Sequence, residues 1–328
     1  MSNKKANILV LGGAGYIGSH IVKDLNNNTY NVVILDNLSE GNRESINGNT
    51  FIHGDIQDNA LIEKVLKDHT INAAMHFSAF AYVGESVINP QKYYENNLVG
   101  TFKLLSAMLK CNVKKIIFSS TCATYGFPLY TPIDEKHPQN PISPYGASKL
   151  MAEKLLSDYN SAYNLDFISL RYFNAAGAWP DGTIGESHKN ETHLIPLILK
   201  TLTKEKDNIS IFGSDYETPD GTCVRDYIHV CDLAHAHRIA LEHILNGGKS
   251  SFINLGTGKG YSVKEIIAIC EEVTGQKIPV TLAKRRPGDP PYLFASCDYA
   301  KEVLNFKPEH DIYSIVKSAW DWERNKRY

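Results

Sequence analysis

Three glycines, Gly12, Gly15 and Gly18, follow the apolar run Asn7–Leu11 and open a helical pattern in the spacing G-x-x-G-x-x-G. A strand that passes into a helix through such a turn has no Cβ atoms to hold a ligand away from its backbone. A pyrophosphate can approach closely, and the helix N-terminus offers N–H groups and partial positive charge. An ordinary glycine turn would explain the spacing alone. It does not explain Asp36, which ends the next apolar run. An acid about 20 residues beyond the glycines is placed to accept from a ribose 2′-OH. It would also repel a 2′-phosphate, so the pattern predicts NAD rather than NADP. Asp55, in His53-Gly54-Asp55-Ile56, ends the third run and is placed to meet the adenine. Arg43 reads as a solvated loop residue.

The rest of the first half alternates in the same way. Residues 7–11, 31–35, 50–53, 72–77, 115–119 and 167–171 read as strands, and 19–26, 59–67, 90–110 and 145–163 as helices. Several strands are continuously apolar, as a parallel sheet covered on both faces requires. The expected fold is α/β: a Rossmann-type doubly wound parallel sheet with a smaller C-terminal α/β substrate domain. Texture changes near Gly177. Residues 178–191 are polar and loop-like. A helix (193–202), a strand (210–212), a helix (232–245), a strand (251–255), a helix (262–274) and an Arg/Pro/Gly segment (284–291) follow. The chain has 328 residues, which suits two domains at about 150 each. The expected division is 1–175 for NAD binding and 176–328 for substrate, with later strands returning to the first sheet.

A net charge of −2 offers no basic footprint for nucleic acid. No apolar run reaches about 18 residues, and the N-terminus has no apolar signal core. A cytoplasmic protein with no membrane partner is expected. The six cysteines show no C-x-x-C spacing and should be reduced and mainly buried. Gly256-Thr257-Gly258-Lys259-Gly260 follows a strand, but no terminal acid follows it, so it reads as a tight turn. His229, Cys231, Asp232, His235 and His237 crowd together. Their offsets do not place three ligands on one helical face, and no metal is expected.

Tyr145 and Lys149 stand four apart in Ser-Pro-Tyr-Gly-Ala-Ser-Lys and share one helix face. An ammonium near a phenol stabilises the phenolate, which can then take a proton from a substrate hydroxyl. Taken alone, the segment reads better as a capped helix start with a solvated lysine. Beside a nicotinamide site the catalytic reading prevails. Ser119-Ser120-Thr121 ends the fifth strand, where hydroxyls of an open α/β sheet face the ligand crevice.

These motifs resemble the UDP-glucose 4-epimerases of the extended short-chain dehydrogenase/reductase family. Matching segments run in order: residues 12–20, 83–87, 93–97, 119–126, 143–149, 170–174, 220–230 and 285–289. The resemblance implies NAD-dependent interconversion of UDP-glucose and UDP-galactose through a 4-keto intermediate. Tyr145 would be the base, and Lys149 its partner and a nicotinamide-ribose contact. Thr121 would hold the sugar 4-oxygen. Asn96 would support the cofactor, whose contacts would also fall on Tyr16, Ile17, Asn37, Ile56, Phe77, Ser78, Ala79, Ser119 and Tyr172. Asn174, Tyr227 and Asp289 would line the nucleotide-sugar pocket, with Phe212 beside the uracil. Arg225 and Arg286 would clamp the pyrophosphate.

The chain departs from the family in places. Thr121 stands where many members have serine, Ala81 where many have lysine, and Thr192-His193-Leu194 where others have paired asparagines before leucine. His193 is then either a phosphate donor beside Leu194 or simply a helix-start histidine. Leu293 aligns with a size gate. Leucine there leaves room for an N-acetyl group, and so for UDP-N-acetylglucosamine, unless Tyr292 or Phe294 restores the bulk. A UDP-pentose 4-epimerase is the nearest alternative. A 4,6-dehydratase would want Asp-Glu where this chain has Cys122-Ala123, and a non-catalytic NAD-binding protein would need no tuned phenol. By the same resemblance, helices 90–110 and 145–163 pair in a two-fold homodimer.

Overall fold

A computed structural model describes residues 6–46, 48–286 and 288–328. Pro287, within the segment 285–289 singled out above, lies outside the described residues. In chain order the first elements are β1 (Asn7–Leu11), α1 (Tyr16–Asn27), β2 (Asn31–Asp36), β3 (Thr50–His53), α2 (Asn59–Asp68), β4 (Ala73–His76), α3 (Val83–Ile88) and α4 (Pro90–Tyr93). A π-helical turn (Tyr94–Val99) leads into α5 (Gly100–Lys110), β5 (Lys115–Thr121), α6 (Pro144–Tyr163) and β6 (Asp166–Tyr172). Then come β7 (Asn174–Ala176), α7 (Leu194–Leu202), β8 (Ile209–Phe212), β9 (Val224–His229), α8 (Val230–Leu245) and β10 (Ser251–Leu255). The chain ends with β11 (Gly260–Ser262), α9 (Val263–Thr274), β12 (Val280–Ala283), β13 (Tyr292–Leu293), α10 (Asp298–Leu304) and α11 (Ile312–Arg324).

The chain divides into two compact units. The first comprises residues 1–126, 139–171 and 234–253, the second 127–138, 172–233 and 254–328. A seven-stranded sheet in the order β10-β6-β5-β4-β1-β2-β3 centres the first unit. The β1–β2, β1–β4, β2–β3 and β4–β5 pairs are parallel. Order reverses between β1 and β4, the switch point at which a Rossmann sheet opens a ligand crevice. Leu9, Leu11, Val33, Leu35, Ala74, Ile116 and Phe118 are all buried in one cluster with Leu104, Leu105 and Met108 of α5. Burial of both sheet faces is why these strands read as unbroken apolar runs.

Helix α6 begins at Ser143, whose hydroxyl accepts from Gly146 N, with Pro144 in the first turn. Such a cap contributes about 1 kcal/mol. It ends at Asn164, which takes the left-handed conformation that halts a helix.

In the second unit β9 pairs with β7, β11 and β13, and β8 pairs with β12. Ile195, Ile198, Ile211, Ile266, Ile315 and Trp320 belong to its core. Helix α9 carries a reciprocal Ser262/Glu265 capping box and stops at Gly275 with φ +68°. The glycine cluster 256–260 is a turn around one side chain. Buried Asp226 accepts from Thr257 N, Thr257 Oγ1 and Gly258 N at 2.9, 2.7 and 3.1 Å. A Cβ on Gly256 would sit 2.4 Å from that carboxylate.

Candidate functional site

The first unit places the glycines at the switch point. Gly12 has φ +77°, and a Cβ there would lie 2.6 Å from Ser78 N and 2.7 Å from Phe77 C. Gly12 N donates to Leu35 O at 2.9 Å, and Phe77 N to Leu11 O at 2.8 Å, so β1 and β4 leave the sheet side by side. A Cβ on Gly18 would meet Gly12 O at 2.1 Å, which is why α1 can start so close to the turn. Tyr16 and Ile17 form its first turn, half-buried. The cradle a side chain would fill is the kind of backbone surface a pyrophosphate needs.

Asp36 is buried at the end of β2. Its Oδ2 accepts from Ala14 N at 2.9 Å and its Oδ1 from Leu38 N at 2.8 Å. Desolvation pushes its pKa up, and the two backbone donors oppose that. Each oxygen keeps a lone pair for a ribose hydroxyl. Beside it, Asn37 Nδ2 donates to Asp55 Oδ2 at 2.8 Å, joining two of the expected cofactor residues. Ile56 is buried next to them. Arg43 lies over the Phe51 ring at 3.9 Å.

The helix expected across 90–110 is interrupted by the π turn Tyr94–Val99. A π turn widens the backbone locally and often marks a working site. Here two asparagines serve the loop after β4. Asn97, buried, accepts from Phe80 N at 3.0 Å, and its Nδ2 donates to Phe80 O at 2.9 Å and Ser148 Oγ at 3.3 Å. Asn96 Nδ2 donates to Ser78 O at 3.4 Å and Asn97 Oδ1 at 2.9 Å. Phe77, Ser78 and Ala79 are half-buried in this loop, and the Phe77 ring lies 5.1 Å from that of His237. Asn97 was not among the expected site residues. Its signal is its place next to Asn96 on a helix whose register the π turn shifts.

Tyr145 and Lys149 both sit on α6 and are buried. Lys149 Nζ donates to Ser119 O at 2.7 Å and lies 4.8 Å from the Phe118 ring centre. Burial drives its pKa down to about 7, with Glu153 pulling the other way. The Tyr145 ring meets Tyr93 edge-on at 6.4 Å. Buried Thr121 accepts from Ala123 N at 3.1 Å through Oγ1, capping a short 3-10 turn and leaving its hydroxyl hydrogen to donate. One helical turn beyond Lys149, Glu153 anchors a buried network that includes Ser120, Ser169 and Arg171. The expected site omits Glu153, although it extends the 145–149 spacing by another four residues. Tyr172, half-buried, ends β6.

In the second unit Asn174, Arg225, Tyr227, Asp289 and Leu293 lie on and around β9, while Phe212 ends β8 and His193 and Leu194 open α7. Asn174 of β7 is in register with Tyr227, and its Nδ2 donates to Asp226 O at 2.7 Å. Leu293 of β13 is in register with Arg225. Arg225 donates to Val224 O and Pro290 O, both at 2.9 Å, and its Nη2 lies 3.6 Å from Asp289 Oδ1. Tyr227 is buried, and desolvation raises its phenol. Arg286 is exposed and stacks its guanidinium 3.8 Å over the Phe212 ring. Two arginines beside aromatic and backbone acceptors suit a diphosphate and a base.

His193 and Leu194 stand at the start of α7. His193 Nδ1 lies 2.6 Å from Glu186 Oε1 and 3.3 Å from Glu191 Oε1. His188 Nδ1 lies 3.3 and 3.2 Å from the same two carboxylates. These partners were invisible in a segment that reads as polar loop. The histidines and acids of 229–237 go to separate partners: Asp232 takes His310 at 2.7 Å, and Arg238 takes His235 at 2.8 Å. None of the six cysteines is joined in a disulfide. Among the described residues, no helix is long and apolar enough to cross a membrane.

Relatives carry the same architecture. The UDP-glucose 4-epimerase of Halalkalibacterium halodurans is 49% identical over 318 residues, spanning 97% of this chain and 95% of that protein. The crystal structure of UDP-glucose 4-epimerase from Brucella ovis in complex with NAD is 48% identical, with a TM-score of 0.94 over 96% of this chain and 97% of that one. The UDP-Glc/GlcNAc 4-epimerase of Campylobacter jejuni is 40% identical, with a TM-score of 0.86 over 98% of this chain and 99% of that one. The model of the NAD dependent epimerase/dehydratase family matches residues 8–256. With the glycine turn, the terminal acid and the strand order all in place, the chain belongs to the NAD dependent epimerase/dehydratase family.

Proposed function

We propose that the chain is an NAD-dependent 4-epimerase interconverting UDP-glucose and UDP-galactose. The observation that carries this reading is the buried Lys149 ammonium, fixed on the Ser119 carbonyl one helical turn from Tyr145. A lysine so costly to bury needs a chemical use, and activating a phenol is one. Relatives named UDP-glucose 4-epimerase at nearly full coverage support the substrate. Gly12, Gly15 and Gly18 would hold the NAD pyrophosphate, Asp36 the adenine ribose, and Lys149 the nicotinamide ribose. Bound NAD supplies a hydride acceptor that later returns the same hydride to the sugar.

The residues do the rest. Tyr145 takes the proton of the sugar 4-hydroxyl and gives it back after the 4-keto sugar has turned its other face. Thr121 donates to the 4-oxygen. Arg225 and Arg286 hold the diphosphate, with Asp289 yielding Arg225 to it, and Phe212 stacks on the uracil. Asn174, Tyr227, His193 and Leu194 line the remainder. The hexose has to be held loosely and the UDP firmly for one site to serve both faces. In this reading the first unit is the cofactor unit and the second the UDP-sugar unit. The test is to incubate purified protein with UDP-galactose and follow UDP-glucose by NMR. Conversion without NADH accumulation supports the proposal, and steady NADH release would replace it with a dehydrogenase.

A second substrate is favoured by Leu293, half-buried and in register with Arg225. A leucine there leaves space that a tyrosine would fill, so UDP-N-acetylglucosamine is included. The chain is further proposed to form a homodimer in the cytoplasm. Val99, Phe102 of α5 and Met151 of α6 are exposed, an apolar surface that a second copy would cover. Wild type sedimenting as a dimer and Phe102→Asp as a monomer would support this; a monomeric wild type would refute the dimer, and a dimeric variant would refute this surface as its interface.

A further inference from the structure

We propose that Glu186, His188, Glu191 and His193 form a divalent transition-metal site whose donors suit Zn²⁺. One donor atom from each residue lies within 4.8 Å of all the others. In a tetrahedral zinc site with bonds of about 2.0–2.1 Å, neighbouring donors stand about 3.3 Å apart. The separations of His188 Nδ1 from Glu186 Oε1 and Glu191 Oε2 are 3.3 and 3.2 Å. His193 Nδ1 lies 3.3 Å from the other oxygen of Glu191, Oε1, so the carboxylate would offer one of its two oxygens and the four donors would draw in from within 4.8 Å of one another. Charge-assisted hydrogen bonds run shorter, at about 2.7–2.9 Å. The fourth pair, His193 with Glu186 at 2.6 Å, has hydrogen-bond length and would open around a bound ion.

The surroundings fit a built site. The carboxylates are buried, with side chains 5% and 4% exposed, and His188 is 15% exposed, while His193 at 46% faces outward as a path for the ion. Two buried carboxylates side by side need compensating charge, which two protonated imidazoles supply without an ion and one divalent cation with two neutral imidazoles supplies equally. The ligands are oriented from behind, as metal ligands generally are. Glu191 Oε1 accepts from Thr192 N and His193 N, both at 2.7 Å. Trp322 Nε1 donates to the backbone carbonyl of Glu186 at 2.8 Å and so fixes the main chain there, not the carboxylate. Gly185 allows that approach, since a Cβ there would sit 2.3 Å from the Trp322 ring. Two imidazoles with two carboxylates favour zinc over magnesium or calcium, which take oxygen donors.

The ion would tie residues 186–191 to the start of α7. The sequence leads to the expectation of no metal anywhere in the chain, and this site departs from that expectation. The site does not depend on the epimerase reading: with Nδ1 on the metal, Nε2 of His193 stays available to a phosphate.

The test uses untagged full-length protein. After dialysis against a weak chelator, metal analysis should find stoichiometric zinc. Chelator-stripped protein titrated with Co²⁺ should develop the intense visible bands of a tetrahedral site, displaced by added Zn²⁺. His188→Ala should lose both signals, with cooperative melting as the control for folding. Glu186→Gln is a second variant with the same expectation. Wild type without zinc and without Co²⁺ bands would overturn the proposal and leave two histidine–carboxylate bridges. Equal metal content in wild type and both variants would overturn it as well.

Discussion

Arg171 grips Glu153 through two edges of its guanidinium, with Nε 2.9 Å from Oε1 and Nη2 2.8 Å from Oε2. Both side chains are nearly solvent-free, at 4% and 2% exposure. Ser120 and Ser169 donate to Oε1 at 2.7 and 2.9 Å, and Gln139 to Oε2 at 3.2 Å. Arg171 Nη1 reaches Tyr125 Oη at 2.9 Å. The pair therefore welds α6, which carries Tyr145 and Lys149, to β5 and β6.

Breaking this pair from one side leaves a buried charge without its partner. Glu153→Gln should destabilise the protein by roughly 3–5 kcal/mol. Urea denaturation measures it, and a loss below about 1 kcal/mol would show that the network relaxes.

Tyr145→Phe should lower kcat roughly 10²–10⁴-fold, the usual loss for a general acid/base. UDP affinity, read by calorimetry, should stay near wild type because the arginines are untouched. A variant that turns over at the wild-type rate would remove Tyr145 from the chemistry.

Lys149 has a folded pKa of about 7 against an ordinary value of 10.5. Between those values the unfolded chain binds more protons, so stability rises with pH there. The penalty of the buried ammonium is complete below pH 7 and fades as pH rises toward 10.5. Lys149→Met removes it. The melting temperature of cofactor-free Lys149→Met, minus that of wild type, should be greatest near pH 6 and shrink by pH 9. The lost hydrogen bond to Ser119 adds only a constant offset. A difference that does not vary with pH would contradict the assignment.

Gly12→Ala would force a Cβ to within 2.6 Å of Ser78 N at φ +77°. Backbone has to move, since both contacts are main chain. The purified variant should carry much less NAD, measured by absorbance after acid release. Gly15→Ala is the milder control, because its Cβ would stand 3.4 Å from Gly12 O.

Leu293→Tyr should suppress formation of UDP-N-acetylgalactosamine and largely spare UDP-galactose. Both products are read by NMR from the same preparation. Equal loss of the two would show that residue 293 does not sort them by size.

Local chemistry was enough to mark the glycine turn and the acid at the end of β2. Gly12, Gly15, Gly18 and Asp36 are legible because each acts through its own backbone or at the end of its own strand. Tyr145 and Lys149 are legible because a helix brings residues four apart to one face. The parallel sheet shows in strands that are apolar throughout. Other features depend on neighbours far along the chain. The π turn arises where Asn97 grips the loop at Phe80 and turns a single expected helix into three pieces. Arg171 reads as a strand residue until folding sets it on Glu153. The turn at Gly256 is explained by Asp226, thirty residues earlier in sequence. Glu186, His188 and Glu191 look like a polar loop because their periodicity fits neither helix nor strand, and His193 looks like the start of the next helix. What the sequence alone determined are elements set by short-range periodicity and backbone freedom. What only the tertiary structure decided are the buried polar partnerships, because a charge out of water is stabilised by whichever groups the fold brings beside it.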